Sequence, residues 1–269
     1  MEVIICPSAE RANLLTAQLI ADTVKTKPNA VIGMATGRTP EGVYARLAQL
    51  HKEAGLDFSA VTTFNLDEYI GIPVAHPQSF RACMERDLFS KVNIKKENTH
   101  LPDGMAADLD GECERYERAI AAAGGIDLQL LGIGLNGHLA FNEPLSSLAS
   151  RTRTKALTPE TRRQNAPAFG SLDEVPTRAM TMGVGTVLDS RWAILLATGS
   201  SKAEIILKAV EGPMTAVVAA SALQMHRKCT VIVDEPAAEW LQMKEYYRWV
   251  FANEPEWAPY RDLVMGSSK

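Results

Sequence analysis

The sequence predicts an α/β fold, a doubly wound and mostly parallel sheet flanked by helices, on three observations. Short apolar runs without helical spacing, at Ala30 to Ala35, from Ile126 onward and at Trp192 to Ala197, read as strands buried on both faces. Stretches with apolar residues at helical spacing lie between them, and this alternation belongs to parallel sheets. Glycine-bearing turns then follow these runs directly, at Thr36-Gly37, at Gly132-Ile-Gly134 and at Thr198-Gly199. Open α/β sheets keep their ligands at such strand ends. With 269 residues and 46% hydrophobic content, the chain can bury a full core, and one domain spanning 1–269 is expected.

Taken in order, Val3 to Cys6 is a short strand, and Ser8 is placed to cap an alanine-rich helix reaching about Lys25. The strand Ala30 to Ala35 runs into Thr36-Gly37-Arg38-Thr39-Pro40 and a helix carrying Val43, Leu47 and Leu50, with Pro40 near its first position. Free backbone N–H groups, two threonine hydroxyls and the helix dipole make this turn a candidate anion site. It lacks the Gly-Lys-Ser/Thr end of a Walker loop. Val61 to Asn65 is the next strand, and the turn after it carries Asp67 and Glu68. Adjacent carboxylates at a strand end cannot both face one way; by composition alone a solvated acidic turn is the favoured reading, and one acid facing the cleft while the other makes a structural contact is the alternative.

A helix opens at His76-Pro-Gln-Ser79 and runs through Phe89; another spans Asp108 to Ala123 and stops at Gly124-Gly125. From Ser146 to Gly170 the chain is polar and basic, with Arg151, Arg153, Lys155, Arg162 and Arg163, by composition a solvated face. Trp192 to Ala197 ends in the strand-to-helix turn Thr198-Gly-Ser-Ser-Lys202. Thr215 to Leu223 and Cys229 to Asp234 complete the core, a helix from Pro236 to about Phe251 closes it, and Gly266 to Lys269 reads as a disordered end.

The chain is organised around Ile126 to Pro144, a buried strand and a glycine turn followed by an imidazole, His138, and a carboxylate, Glu143, with Asn136 two residues before the ring. A titratable ring on a glycine turn is placed for acid/base work. Gly132-x-Gly134-x-x-Gly137 is also a literal dinucleotide fingerprint, but that motif needs a helix to begin at its third glycine. Asn142-Glu143-Pro144 stops such a helix within two turns, so the catalytic-loop reading ranks first. A structural turn around a core histidine stays open as the alternative.

A formal net charge of −4 argues against nucleic acid as a partner, so any bound phosphate must meet local cations. The start shows no signal peptide, and no apolar run approaches membrane-spanning length. Cys6, Cys83, Cys113 and Cys229 are scattered without metal-ligand spacing, which reads as free thiols in a reducing cytoplasm.

Gly134-Leu-Asn-Gly-His-Leu-Ala-Phe-Asn-Glu-Pro144, Asn65-Leu-Asp-Glu-Tyr69 and the shorter His76-Pro-Gln-Ser79 resemble, in order and spacing, the signatures of the glucosamine-6-phosphate deaminase family. The resemblance implies a modified Rossmann-like sheet and the conversion of glucosamine 6-phosphate to fructose 6-phosphate and ammonia, without metal or redox cofactor. It implies that His138 opens the sugar ring, oriented by Glu143 and by Asn136, where well-studied members carry Asp. Asp67 becomes the base at C1 and C2, and Thr36, Gly37, Arg38, Thr39 and Lys202 the phosphate site. A mobile lid is implied over about 150–180. Ser146, Arg153 and Lys155 match an allosteric site for N-acetylglucosamine 6-phosphate, with Ala156 where allosteric members carry threonine. A cytoplasmic homo-oligomer, a hexamer, is expected from the likeness to the longer, allosteric branch and from the C-terminal aromatics Trp240, Tyr246, Tyr247, Trp249, Phe251 and Trp257, an apolar load high for a solvated tail; the alternative is that these aromatics close the chain's own core. Two departures bear on the phosphate: Arg38 replaces a small residue, and Pro167 replaces a lid arginine. A sugar-phosphate lactonase of the same broad fold and a catalytically weak sugar-phosphate sensor are the competing readings.

Overall fold

In the computed structural model, which describes residues 1–266, the strands are β1 (Glu2–Cys6), β2 (Val31–Met34), β3 (Thr62–Asn65), β4 (Asp67–Tyr69), β5 (Thr99–His100), β6 (Leu128–Leu131), β7 (Arg153–Ala156), β8 (Arg178–Thr181), β9 (Ala193–Ala197) and β10 (Cys229–Asp234). The helices are α1 (Ala9–Thr26), α2 (Arg38–Ala54), α3 (Phe80–Asp87), α4 (Leu109–Ala122), α5 (Pro159–Phe169), α6 (Val184–Leu188), α7 (Ala203–Val210), α8 (Lys244–Asn253) and α9 (Arg261–Met265).

Seven strands make a parallel sheet in the order β1-β10-β9-β6-β2-β3-β5. Every residue of β2, β6, β9 and β10 is buried, as expected of strands covered on both faces. From β2 the chain proceeds to β3 on one side, whereas from β6 the main sheet continues to β9 on the other. The crevice between the carboxyl ends of β2 and β6 is therefore the topological switch point, where doubly wound sheets bind ligands.

Helix starts follow the side chains that cap them. Ser8, Ser79 and Asp108 accept from the backbone N–H of Arg11, Ala82 and Gly111 at 3.3, 3.1 and 3.0 Å. Helix α2 begins at Arg38 rather than Pro40, with Gly37 as its N-cap.

A second, antiparallel sheet, β4-β8-β7, stands apart from the first. Asp67 pairs with Thr181, which pairs in turn with Arg153. The expected turn at Asp67-Glu68 is thus a strand, and the expected lid segment is a sequence of β7, α5 and β8. The C-terminal helix starts at Lys244, not at Pro236. Asp234 accepts the N–H of Ala237 at 3.0 Å and bends the chain there, burying Ala237 and Ala238. Helix α3 stops at Asp87 and gives way to a 3-10 turn over Phe89–Lys91. Of the expected disordered end, Ser267 to Lys269 lie outside the described residues.

Candidate active site

A cavity of about 420 Å³ opens at the switch point, walled by the ends of β2, β3, β6 and β9 and roofed by α5. It brings together Thr36, Gly37, Arg38, Thr39, Asp67, His138 and Lys202. Residues not foreseen from sequence as part of the site also line it, among them Tyr69, Phe80, Phe141, Thr161, Gln164 and Asn165.

The glycine turn after β6 shapes the first wall. A Cβ on Gly134 would sit 2.3 Å from His138 Nε2, so the ring lies directly against this backbone. Gly137 has φ +86°, a conformation that other residues adopt only with strain. No helix follows the third glycine; Leu139 and Asn142 form an isolated bridge instead, which removes the dinucleotide reading.

Glu143 lies behind His138, buried rather than on the cavity wall. Its Oε2 accepts from Asn136 Nδ2 at 2.9 Å and lies 3.4 Å from His138 Nδ1, too poorly aligned for a hydrogen bond. Asn136 Oδ1 also accepts the backbone N–H of His138 at 3.2 Å. Glu143 Oε1 accepts from the hydroxyls of Thr161 at 2.6 Å and Thr158 at 3.2 Å. Burial pushes the Glu143 pKa up, but the contact with His138 and the hydrogen bonds from Thr161 and Asn136 outweigh it and hold the value down at about 2.

The two adjacent carboxylates divide as their alternation on a strand requires. Glu68 accepts the backbone N–H groups of Tyr69, Phe80 and Arg81 at 2.9, 2.9 and 3.1 Å, tying β4 to the start of α3. Asp67 lines the cavity, is 6% exposed and makes no hydrogen bond among the described residues. Burial first, and the charge on Glu68 second, raise its pKa well above the usual carboxylate range.

Two cations, Lys202 and Arg38, also line the cavity. Lys202 donates from Nζ to the Ile133 carbonyl at 2.7 Å; burial first, and the Arg38 guanidinium second, lower its pKa. Arg38 is exposed on the first turn of α2, where backbone N–H groups and the helix dipole favour an anion. Arg38 and Pro167 line an adjoining groove together, and Pro167 lies within α5.

Ser146, Arg153 and Lys155 lie outside the cavity. Ser146 is buried with its hydroxyl unpartnered, and Arg153 donates to Asn142 Oδ1 at 2.8 Å. Among the described residues no group of three or more His, Cys, Asp or Glu is placed to hold a metal, and no helix is long and apolar enough to cross a membrane.

Residues 8–232 match the family model described as glucosamine-6-phosphate isomerases/6-phosphogluconolactonase. The chain belongs to this family. Its relatives include glucosamine-6-phosphate deaminases of Arthrobacter sp. (strain FB24), 51% identical over 96% of this chain and 99% of the relative, and of Streptomyces avermitilis, 46% identical over the same shares. A solved structure described as a monomeric glucosamine-6-phosphate deaminase superposes with a TM-score of 0.88 at 44% identity, covering 89% of this chain and all of that one. The 6-phosphogluconolactonase of Trypanosoma cruzi, at 21% identity and a TM-score of 0.72 over 90% of this chain and 97% of its own, shares the fold. Within the family the doubly wound, Rossmann-like sheet is the common frame.

Proposed function

We propose that this chain is a glucosamine-6-phosphate deaminase that converts glucosamine 6-phosphate and water to fructose 6-phosphate and ammonia. One observation carries the reading: a single cavity in which the partnerless carboxyl of Asp67 faces the same space as His138, Arg38 and Lys202. The names of relatives at 46–51% identity agree with it.

In this reading the phosphate rests on the turn Thr36 to Thr39, with Lys202 and Arg38 as its counter-charges. His138 takes the proton from the anomeric hydroxyl and returns one to the ring oxygen, opening the sugar. Glu143, held ionised by its hydrogen bonds, supports the imidazolium formed between those two transfers, and Asn136 holds the loop backbone and one carboxylate oxygen. Asp67 removes the proton from C2 while the C1 oxygen takes one from the substrate's own ammonium, giving an enolamine, and Asp67 then delivers its proton to C1. The iminium then left at C2 adds water and expels ammonia. A carboxyl whose pKa burial has raised is matched to taking and giving back one proton.

Helix α5 is the part of the lid that covers the substrate. The activator site at Ser146, Arg153 and Lys155 is supported by the unpartnered Ser146 hydroxyl and the basic side chains of β7. Self-association into a hexamer is supported by Trp240, Tyr246 and Trp249, which are 47%, 55% and 60% exposed. Phe251 and Trp257 are buried in the chain's own core instead.

The test is ammonia release from glucosamine 6-phosphate, run beside hydrolysis of a 6-phosphosugar lactone. Ammonia without lactone hydrolysis supports the reading; the reverse assigns the chain to the lactonases, and neither leaves a sensor.

A further inference from the structure

We propose that Thr161 is a positioning residue through which docking of helix α5 sets the carboxylate that supports His138; this rests on the deaminase reading. The two oxygens of Glu143 are held from different parts of the chain. Oε2 faces Asn136 and His138, both on the turn after β6. Oε1 is held from the start of α5, by the Thr161 hydroxyl at 2.6 Å and the Thr158 hydroxyl and N–H at 3.2 and 3.4 Å.

Thr161 dominates the second set. Its bond is the shortest, the residue is 3% exposed, and water cannot readily replace it. The Thr158 hydroxyl is shared, because it caps the helix by accepting the Thr161 N–H at 3.2 Å and also lies 3.1 Å from Thr161 Oγ1. The cap uses the backbone of Thr161, not its hydroxyl, so positioning and helix capping are separable. Around Glu143, His138 is the facing titratable group; α5 presents hydroxyls and the turn presents an amide. The guanidinium of Arg153 is engaged by Asn142. When α5 lifts, Glu143 loses every bond to Oε1, and the carboxylate is no longer fixed against the imidazole. Lid closure thereby prepares the acid/base pair as well as covering the substrate.

The experiment compares the parent with Thr161→Val, which removes the hydroxyl at nearly constant volume, and Thr161→Ser, which keeps it. Two readouts are taken: the pH profile of deamination and a ¹³C NMR titration of Glu143 in the unliganded protein. Loss of one hydrogen bond to a charged group predicts about a ten- to hundredfold lower kcat in the valine variant, with KM little changed. The Glu143 pKa and the acid limb of the profile both move upward, and serine restores both. An unmoved Glu143 pKa, an effect confined to KM, or a serine variant as impaired as the valine one overturns the proposal. Should the parent release no ammonia, a moved Glu143 pKa still supports the positioning role while the deaminase reading fails.

Discussion

Replacement of Asp67 by Asn tests the centre of the proposed reaction. The two side chains have nearly the same shape, and Asp67 makes no hydrogen bond that the amide would break. No neighbour is free to substitute. Glu68 is engaged by three backbone N–H groups, and His138 lies against Gly134 with Glu143 behind it. A positioned base contributes about 10²–10⁴-fold, so ammonia release from glucosamine 6-phosphate should fall by at least about a hundredfold, or about 2.7 kcal/mol in the barrier. Stability should not fall with it. A carboxyl whose folded pKa is raised stabilises fully below its unfolded pKa, and that contribution is lost as pH rises through the folded pKa. Asparagine does not ionise, so the variant should melt at or above the parent's temperature on the alkaline side. Calorimetric binding of the phosphorylated sugar should persist. Turnover within about tenfold of the parent, in a folded and binding-competent variant, would remove Asp67 from the role of base.

Three further outcomes follow from the same site. Arg38→Gly should weaken use of the phosphorylated sugar about ten- to a hundredfold, the effect of losing a charged hydrogen-bond pair, and unchanged kcat and KM would show that Arg38 does not replace the cation missing at Pro167. Asn136→Asp would set a second carboxylate about 2.9 Å from Glu143 in place of a donor, so the acid limb of the pH profile should move upward; a profile unmoved on that side would contradict the geometry. Light scattering at micromolar concentration should report a multiple of the 29.3 kDa chain; a monomer would match the described state of the solved relative and leave the exposed C-terminal aromatics without a partner in self-association.

The central sheet was legible because its strands are buried on both faces, and continuous apolar runs such as β9 and β10 have few other readings. The site turns were legible for the same reason: a glycine directly after such a run marks the ligand end of the sheet. The small sheet was not. β7 reads Arg-Thr-Lys-Ala and β8 Arg-Ala-Met-Thr, too short and too polar for a period-two pattern to stand out. Helix α5 was hidden by its charge and by Pro167, although Thr158-Pro159-Glu160 is a recognisable helix start. No local rule pairs Thr161 with Glu143, eighteen residues apart; only the folded chain makes them neighbours. Pro236 misled because a proline after a strand also suits a turn, and Asp234 takes that option.

The small antiparallel sheet also determines where this chain can change length. Asp67, Thr181 and Arg153 lie in one row of a hydrogen-bonded ladder, so inserting or deleting one residue within β7 or β8 would turn the following side chains to the opposite face. Such a slip would be transmitted to the strand that carries Asp67. The ladder runs on past β7, where Leu157 donates its N–H to the Thr177 carbonyl at 2.9 Å, and Thr158 then caps α5. The exposed turn at 170–174, by contrast, bears no ladder and can absorb extra residues without disturbing that row. Natural or engineered variation in length should therefore collect at 170–174, and the ladder rows of β4, β7 and β8 should keep their count.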